Sequence, residues 1–206
     1  MKSVITNLLA ATGLFAVTLA NPMVSKQLTK RCNCNFDEIF AQVEAHAEAA
    51  VSICTSADID VDAALESRAA VAAKLQADLE AAAELLAQAS ADLEAATSAD
   101  VEASNSGCDS SCIKKTITEH SETFCDHVSV IVETLGEDCV KPYVKPCMAN
   151  FGAFAKSCDK LFAGVAASVG GVVQAVLGAS LSLSLGLDIG AILGIGLGGI
   201  LGIGRA

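Results

Sequence analysis

Residues 61–101 read VDAALESRAAVAAKLQADLEAAAELLAQASADLEAATSADV. The stretch holds neither glycine nor proline, and the Ala, Leu, Glu and Gln that dominate it are good helix formers. Leu65, Ala72, Leu79, Leu86 and Leu93 recur every seven residues, and Arg68, Leu75, Ala82, Ala89 and Ala96 fill a second seam. The pattern predicts one helix of roughly 40 residues, about 60 Å long, with a break near Ser90 also compatible. Alanine in one seam lets a partner helix approach closely. That partner is either another helix of the same chain, the favoured reading, or a second copy in a coiled coil.

Outward from this stretch, Phe36, Ile39, Phe40, Val43, Ala47, Ala50, Val51 and Cys54 line one face of a helix over 35–54. Asn35 and Glu38 stand in the capping-box positions at its start. His46 is read as a surface histidine beside that face. After a turn-rich linker at 104–111, Ile113, Ile117, His120, Phe124, Val128, Ile131 and Leu135 give a third helix over 112–135, ended by Gly136. His120 and His127, with Glu119 and Asp126 beside them, are the chain's one clustering of acid–base groups. They are read as fillers at the rim of a core rather than as a metal site or pH sensor. Residues 139–147 are expected to form a loop, because Pro142 and Pro146 oppose regular helix. Lys141 and Lys145 place a small positive spot there. A fourth helical pattern follows in Phe151, Phe154, Ala155, Cys158, Leu161 and Phe162.

The N-terminus has a secretory format. Lys2 is followed by an apolar run from Leu8 to Ala20, with small residues suited to cleavage after Ala20. A short pro-segment, 21–31, ends in Lys30-Arg31. All nine cysteines lie beyond it: Cys32, Cys34, Cys54, Cys108, Cys112, Cys125, Cys139, Cys147 and Cys158. A signal peptide, a kexin-type dibasic site and this cysteine usage together resemble the small cysteine-rich secreted proteins of filamentous fungi. That resemblance implies passage through an oxidising compartment and release with Cys32 first. Nine cysteines there lead to an expectation of four disulfides with one thiol over, in unassigned pairing. The Cys108–Cys112 spacing also suits zinc, a reading disfavoured in a secreted chain.

Residues 161–204 carry one charged residue, Asp188, and 12 of the 16 glycines. Small residues recur every fourth position, at Gly178, Ser182, Gly186, Gly190, Gly194, Gly198 and Gly202, the ladder of close-packed membrane helices. Leu181, Leu183, Leu185, Leu187 and Ile189 alternate with small or polar residues, which suits a one-faced strand. A helical hairpin is favoured over the strand.

The expected architecture is therefore all-α. It comprises a signal peptide (1–20), a pro-segment (21–31), an acidic disulfide-crosslinked bundle of about four helices (32–160) and a Gly-rich apolar tail (161–206). After Arg31 there are 24 acidic and 9 basic residues, a balance that repels nucleic acid and anionic headgroups. No catalytic, phosphate-binding, metal or cofactor motif stands out. The expected function is that of a secreted, non-enzymatic structural or interaction protein of the fungal surface or host interface, effector-like. Its helical, disulfide-tied body would be the interaction module, with a host protein as one expected partner, and its tail would meet membrane lipid, cell wall or another copy. The alternative is a membrane-active toxin precursor whose tail inserts into bilayers.

Overall fold

The computed structural model describes residues 34–57 and 64–184, of which 179–184 are described by backbone alone. Among these residues every regular element is a helix: α1 (Phe36–Ser56), α2 (Leu65–Glu94), α3 (Ser98–Ser104), α4 (Ser110–Leu135), α5 (Glu137–Leu161) and α6 (Val165–Ser184). The all-α class holds, with six helices where about four were expected.

α1 is capped by Asn35, one half of the expected capping box. Asn35 is extended, and its side chain accepts from the Glu38 amide at 3.3 Å. Phe36, Phe40, Val43, Ala47, Ala50 and Cys54 are buried, while Ile39 and Val51 sit at the edge of the core. α2 buries Ala72, Leu79, Leu86 and Leu93 of one heptad seam and Leu75, Ala82 and Ala89 of the other, whereas Leu65, expected to open the first seam, is 58% exposed at the start of the helix. Their partners are α1 on one side and α5 on the other.

The single helix expected over 61–101 is instead two. Thr97 turns extended and caps α3, and Asp100 closes a reciprocal capping box. The Asp100 carboxylate accepts from the Thr97 amide at 3.1 Å, and the Asp100 amide donates to the Thr97 hydroxyl at 3.3 Å. No glycine or proline is needed for the break, because the cap satisfies the amides that the interruption frees.

Three polar contacts fix α2 along α5. Asn150 donates to the Ala83 carbonyl at 3.0 Å, the Ser90 and Ser157 hydroxyls meet at 2.9 Å, and Lys160 reaches Glu94 at 2.9 Å. The sequence separations are 67, 67 and 66, so the two helices run parallel in one register.

The expected loop over 139–147 is helix, the first half of α5. Pro142 and Pro146 lie four apart on the exposed side of α5. Lacking N–H groups, they leave the carbonyls of Asp138 and Pro142 without i+4 donors, but on the side open to water. The opposite face, Cys139, Val140, Val144, Cys147, Met148 and Phe151, is buried. A single residue, Gly136 at φ 77°, joins α4 to α5. That positive φ is open to glycine at little cost.

α6 revises where the bundle ends. Val165, Ala166, Val169, Val173 and Leu177 are buried, against α4 and α5, so much of the stretch assigned to the tail belongs to the core. Asp159 accepts from the Gly164 and Ala166 amides at 2.8 and 3.1 Å and so starts the helix. At Gly178 the backbone turns to φ 70°, ψ 165°, kinking α6. The helices close a ring in the order α1, α2, α5, α6, α4 and back to α1. Phenylalanines fill its centre: Phe154 meets Phe36 and Phe40 edge-on at 6.0 and 5.4 Å, and Phe124 packs on Phe151 at 5.1 Å. Each fully buried Phe side chain contributes roughly 1.5–3 kcal/mol.

Candidate functional site

The acid–base groups singled out in the sequence do not converge on one another. His120 projects from α4 onto α1. Its ring stacks on Phe40, with centroids 4.8 Å apart and planes 5° from parallel. Its Nδ1 lies 2.8 Å from Glu44 and its Nε2 3.5 Å from Asp37. His46, on α1, reaches the other way and meets Asp78 of α2 at 3.1 Å. Thus α1 is joined to both neighbours by a histidine–carboxylate contact. Glu44, Asp37 and Asp78 carried no signal in the sequence beyond the general acidity of 37–102. His127 does not join this group; its Nδ1 is buried without a hydrogen-bond partner among the described residues.

The histidine–carboxylate contacts read as helix-to-helix fastening. No group of three or more potential metal ligands forms among the described residues. Cys108 and Cys112 are joined to each other, which removes both from the zinc reading.

The cysteines divide into two populations. Cys108–Cys112 is a disulfide across the start of α4, and Cys34 is also disulfide-bonded. Cys54, Cys125, Cys139, Cys147 and Cys158 are buried thiols. The expectation of four bridges is therefore not met, since five of nine cysteines are unpaired. Each thiol occupies the inward stripe of its helix, where it packs as a small apolar side chain. Cys139 and Cys147 cannot bridge each other: eight helical residues separate them by about 12 Å, beyond the reach of a disulfide. Burial pushes the thiol of Cys54 up to about 11 and those of Cys125 and Cys147 up to about 12. Cys158 is raised well above its ordinary value for the same reason.

The lysines and prolines expected to mark a positive spot fall on one face of α5, together with Asp138. Lys141, Pro142, Lys145, Pro146, Asp138 and Ala149 line a shallow, mainly apolar groove. Lys141 pairs with Glu137 at 3.9 Å along the helix. Of the tail's association ladder, Gly178 is the kink in α6. Gly186, Gly190, Gly194, Gly198 and Gly202 lie outside the described residues, as do the processing residues Ala20, Lys30 and Arg31 and the first cysteine, Cys32. None of the described helices is long and apolar enough to cross a membrane.

Two residues that the sequence reading passed over hold the ends of helices. Arg68, assigned to a heptad seam, donates to the Leu135 carbonyl at 3.0 Å and caps the C-terminus of α4. Asn105, in the turn after α3, bonds the backbone at the start of α1.

No protein family, no curated protein and no solved structure matches this chain.

Proposed function

We propose that this chain is a secreted, non-enzymatic structural or interaction protein, effector-like, acting at a cell surface or host interface. A crosslinked acidic bundle presents an apolar C-terminal segment that associates with membrane, wall or other copies. The observation that carries this reading is the end of α6. Packing of its apolar residues against α4 and α5 runs from Val165 to Leu177, and at Gly178 the backbone leaves helical geometry. The sequence from there to Gly204 has only Asp188 as a charged residue. An apolar segment of that length following a ring of helices is suited to binding a surface or a copy of itself. The precursor format at the N-terminus and the acidic balance of the rest support export and solubility of the carrier.

The test compares the secreted protein with a variant ending at Gly178. Sedimentation velocity and co-sedimentation with neutral liposomes and with cell-wall material are measured for both. The full chain is expected to oligomerise or co-sediment, and the shortened chain to remain a folded monomer in the supernatant. Equal behaviour of the two proteins overturns the reading. Release of dye from the liposomes by the full chain alone would favour the toxin-precursor alternative.

A further inference from the structure

We propose that Cys108–Cys112 is a thiol-exchange site, at which a small-molecule or protein thiol forms a mixed disulfide with Cys112 while the fold stays intact. The inference does not rest on the function proposed above.

Access separates this disulfide from the other cysteines among the described residues. Cys112 is exposed and Cys108 is half-buried at the edge of the core, whereas Cys34 and the five thiols are buried. An attacking thiolate must approach a sulfur along the S–S axis, and Cys112 is the exposed residue of the pair.

The fold around the pair is secured without it. Asp109 caps α4 by accepting from the Ser111 and Cys112 amides at 3.0 and 2.9 Å. The Ile113 amide takes the Asp109 carbonyl at 2.9 Å, the first intrahelical bond. On the other side of the turn Asn105 is fixed to Val101, Cys34 and Phe36. Opening a ring that spans four residues of sequence therefore removes no cap and no helix contact. The chain between these anchors already runs through left-handed geometry at Ser106 (φ 58°) and Gly107 (φ 75°).

The step balances as follows. A thiolate RS⁻ attacks Sγ of Cys112, an RS–Sγ bond forms, and the Cys108–Cys112 bond breaks. Its electron pair leaves on Sγ of Cys108, which takes up a proton from water. A second thiol attacking the mixed disulfide releases RSSR and leaves Cys108 and Cys112 reduced; attack by Cys108 instead restores the ring and frees RSH. The buried thiols do not compete for the mixed disulfide. All five are buried, and burial holds Cys54, Cys125, Cys147 and Cys158 in the protonated form that does not attack disulfides.

The experiment uses the full secreted chain in millimolar reduced glutathione together with glutathione disulfide at neutral pH, quenched with acid, alkylated and peptide-mapped. One glutathione per chain on the Cys108–Cys112 peptide is expected, with an unchanged far-UV circular dichroism spectrum and no adduct on the buried thiols. In Cys108→Ser, whose Cys112 is a free thiol, the Cys112 thiolate attacks glutathione disulfide, forming the Cys112 adduct and releasing glutathione; the adduct is expected to accumulate because the resolving thiol is gone. The double variant Cys108→Ser, Cys112→Ser should take none. The proposal fails if the wild-type pair stays oxidised and unmodified. It fails equally if adducts on that pair appear only together with adducts on the buried thiols, since exchange would then require unfolding. The wild-type map decides the question even where a variant does not fold.

Discussion

The side-chain amide of Asn105 donates to the carbonyl of Cys34 at 2.7 Å, across 71 positions of sequence. The same nitrogen donates to the Val101 carbonyl at 2.8 Å, and the side-chain oxygen accepts from the Phe36 amide at 2.9 Å. One residue thus satisfies an orphan donor at the start of α1, ends α3, and holds the chain beside a disulfide-bonded cysteine. Both amide hydrogens and the carbonyl are used, so the orientation of the side chain follows from its neighbours.

Asn105→Ala is expected to destabilise the bundle by about 1–3 kcal/mol, because it leaves the Phe36 amide and the Cys34 carbonyl without their partner. Asn105→Asp should also destabilise, since it keeps an acceptor for Phe36 but turns a second acceptor toward the Cys34 carbonyl. Urea unfolding gives the magnitude, and hydrogen exchange at the Phe36 amide gives the location. Unchanged protection at Phe36 would show that the clamp is redundant.

The buried thiols predict a defined alkaline limit. The thiols of Cys54, Cys125 and Cys147 rise from an ordinary value of 9.0 to about 11 or 12, chiefly by loss of water, with the Asp126 charge adding to the effect at Cys125. A group with a raised folded value supports the fold fully below its unfolded value, and that support is lost as pH climbs toward the folded one. Stability should therefore be flat for these groups up to about pH 9 and fall between roughly pH 9 and 12. Cys147→Ala should flatten that fall while lowering stability at pH 7. In native protein at pH 8, a thiol reagent should label these cysteines only as fast as the chain opens. Prompt labelling without denaturant would contradict the burial.

Much of this fold was legible from periodicity. The α2 seams from Ala72 to Leu93 and the inward faces of α1 and α4 are as the pattern requires, because apolar residues three, four and seven apart must share a face whatever they pack against; Leu65 and Arg68, at the heads of the two seams, lie outside the core. What was lost has local physical causes. Thr97 and Asp100 end α2 through a cap of side-chain hydrogen bonds, in a stretch whose composition favours helix throughout. Pro142 and Pro146 read as breakers because propensity does not register that both face water while Val140, Val144 and Met148 hold the other side. Asn105 and Arg68 act over 67 or more positions, a distance that no window of sequence spans. The histidines were identified but their carboxylate partners were not, since Glu44 and Asp78 are two among many acids.

Pro146 stands in the interior of α5, so its replacement by alanine should restore a helical hydrogen bond to the Pro142 carbonyl. Pro146→Ala is expected to stabilise the protein by about 1–3 kcal/mol, the helix-interior penalty of proline less the entropy that proline removes from the unfolded chain. The residue is exposed, so no packing is lost. Chemical denaturation of the single variant measures the gain. A loss of stability instead would mean that the prolines set a bend on which the contacts of α5 with α2 depend.

Gly171 and Gly178 both sit in α6 with open space where a Cβ would point, yet they should respond to alanine in opposite ways. Gly171 is exposed and keeps helical geometry. Gly171→Ala should therefore stabilise the chain by about 1 kcal/mol, the difference in helix propensity between the two residues. Gly178 has φ 70° and ψ 165°, a region that only glycine occupies readily. Gly178→Ala must strain the kink, at a cost of about 1–3 kcal/mol, or straighten α6 and redirect everything beyond Leu177. The two outcomes separate experimentally. Strain lowers the unfolding midpoint and leaves liposome or self-association as it was, whereas a straightened helix changes association with little loss of stability. If Gly178→Ala alters neither, the kink is not a fixed feature of the fold, and the proposal that it marks the exit of the apolar segment loses its support.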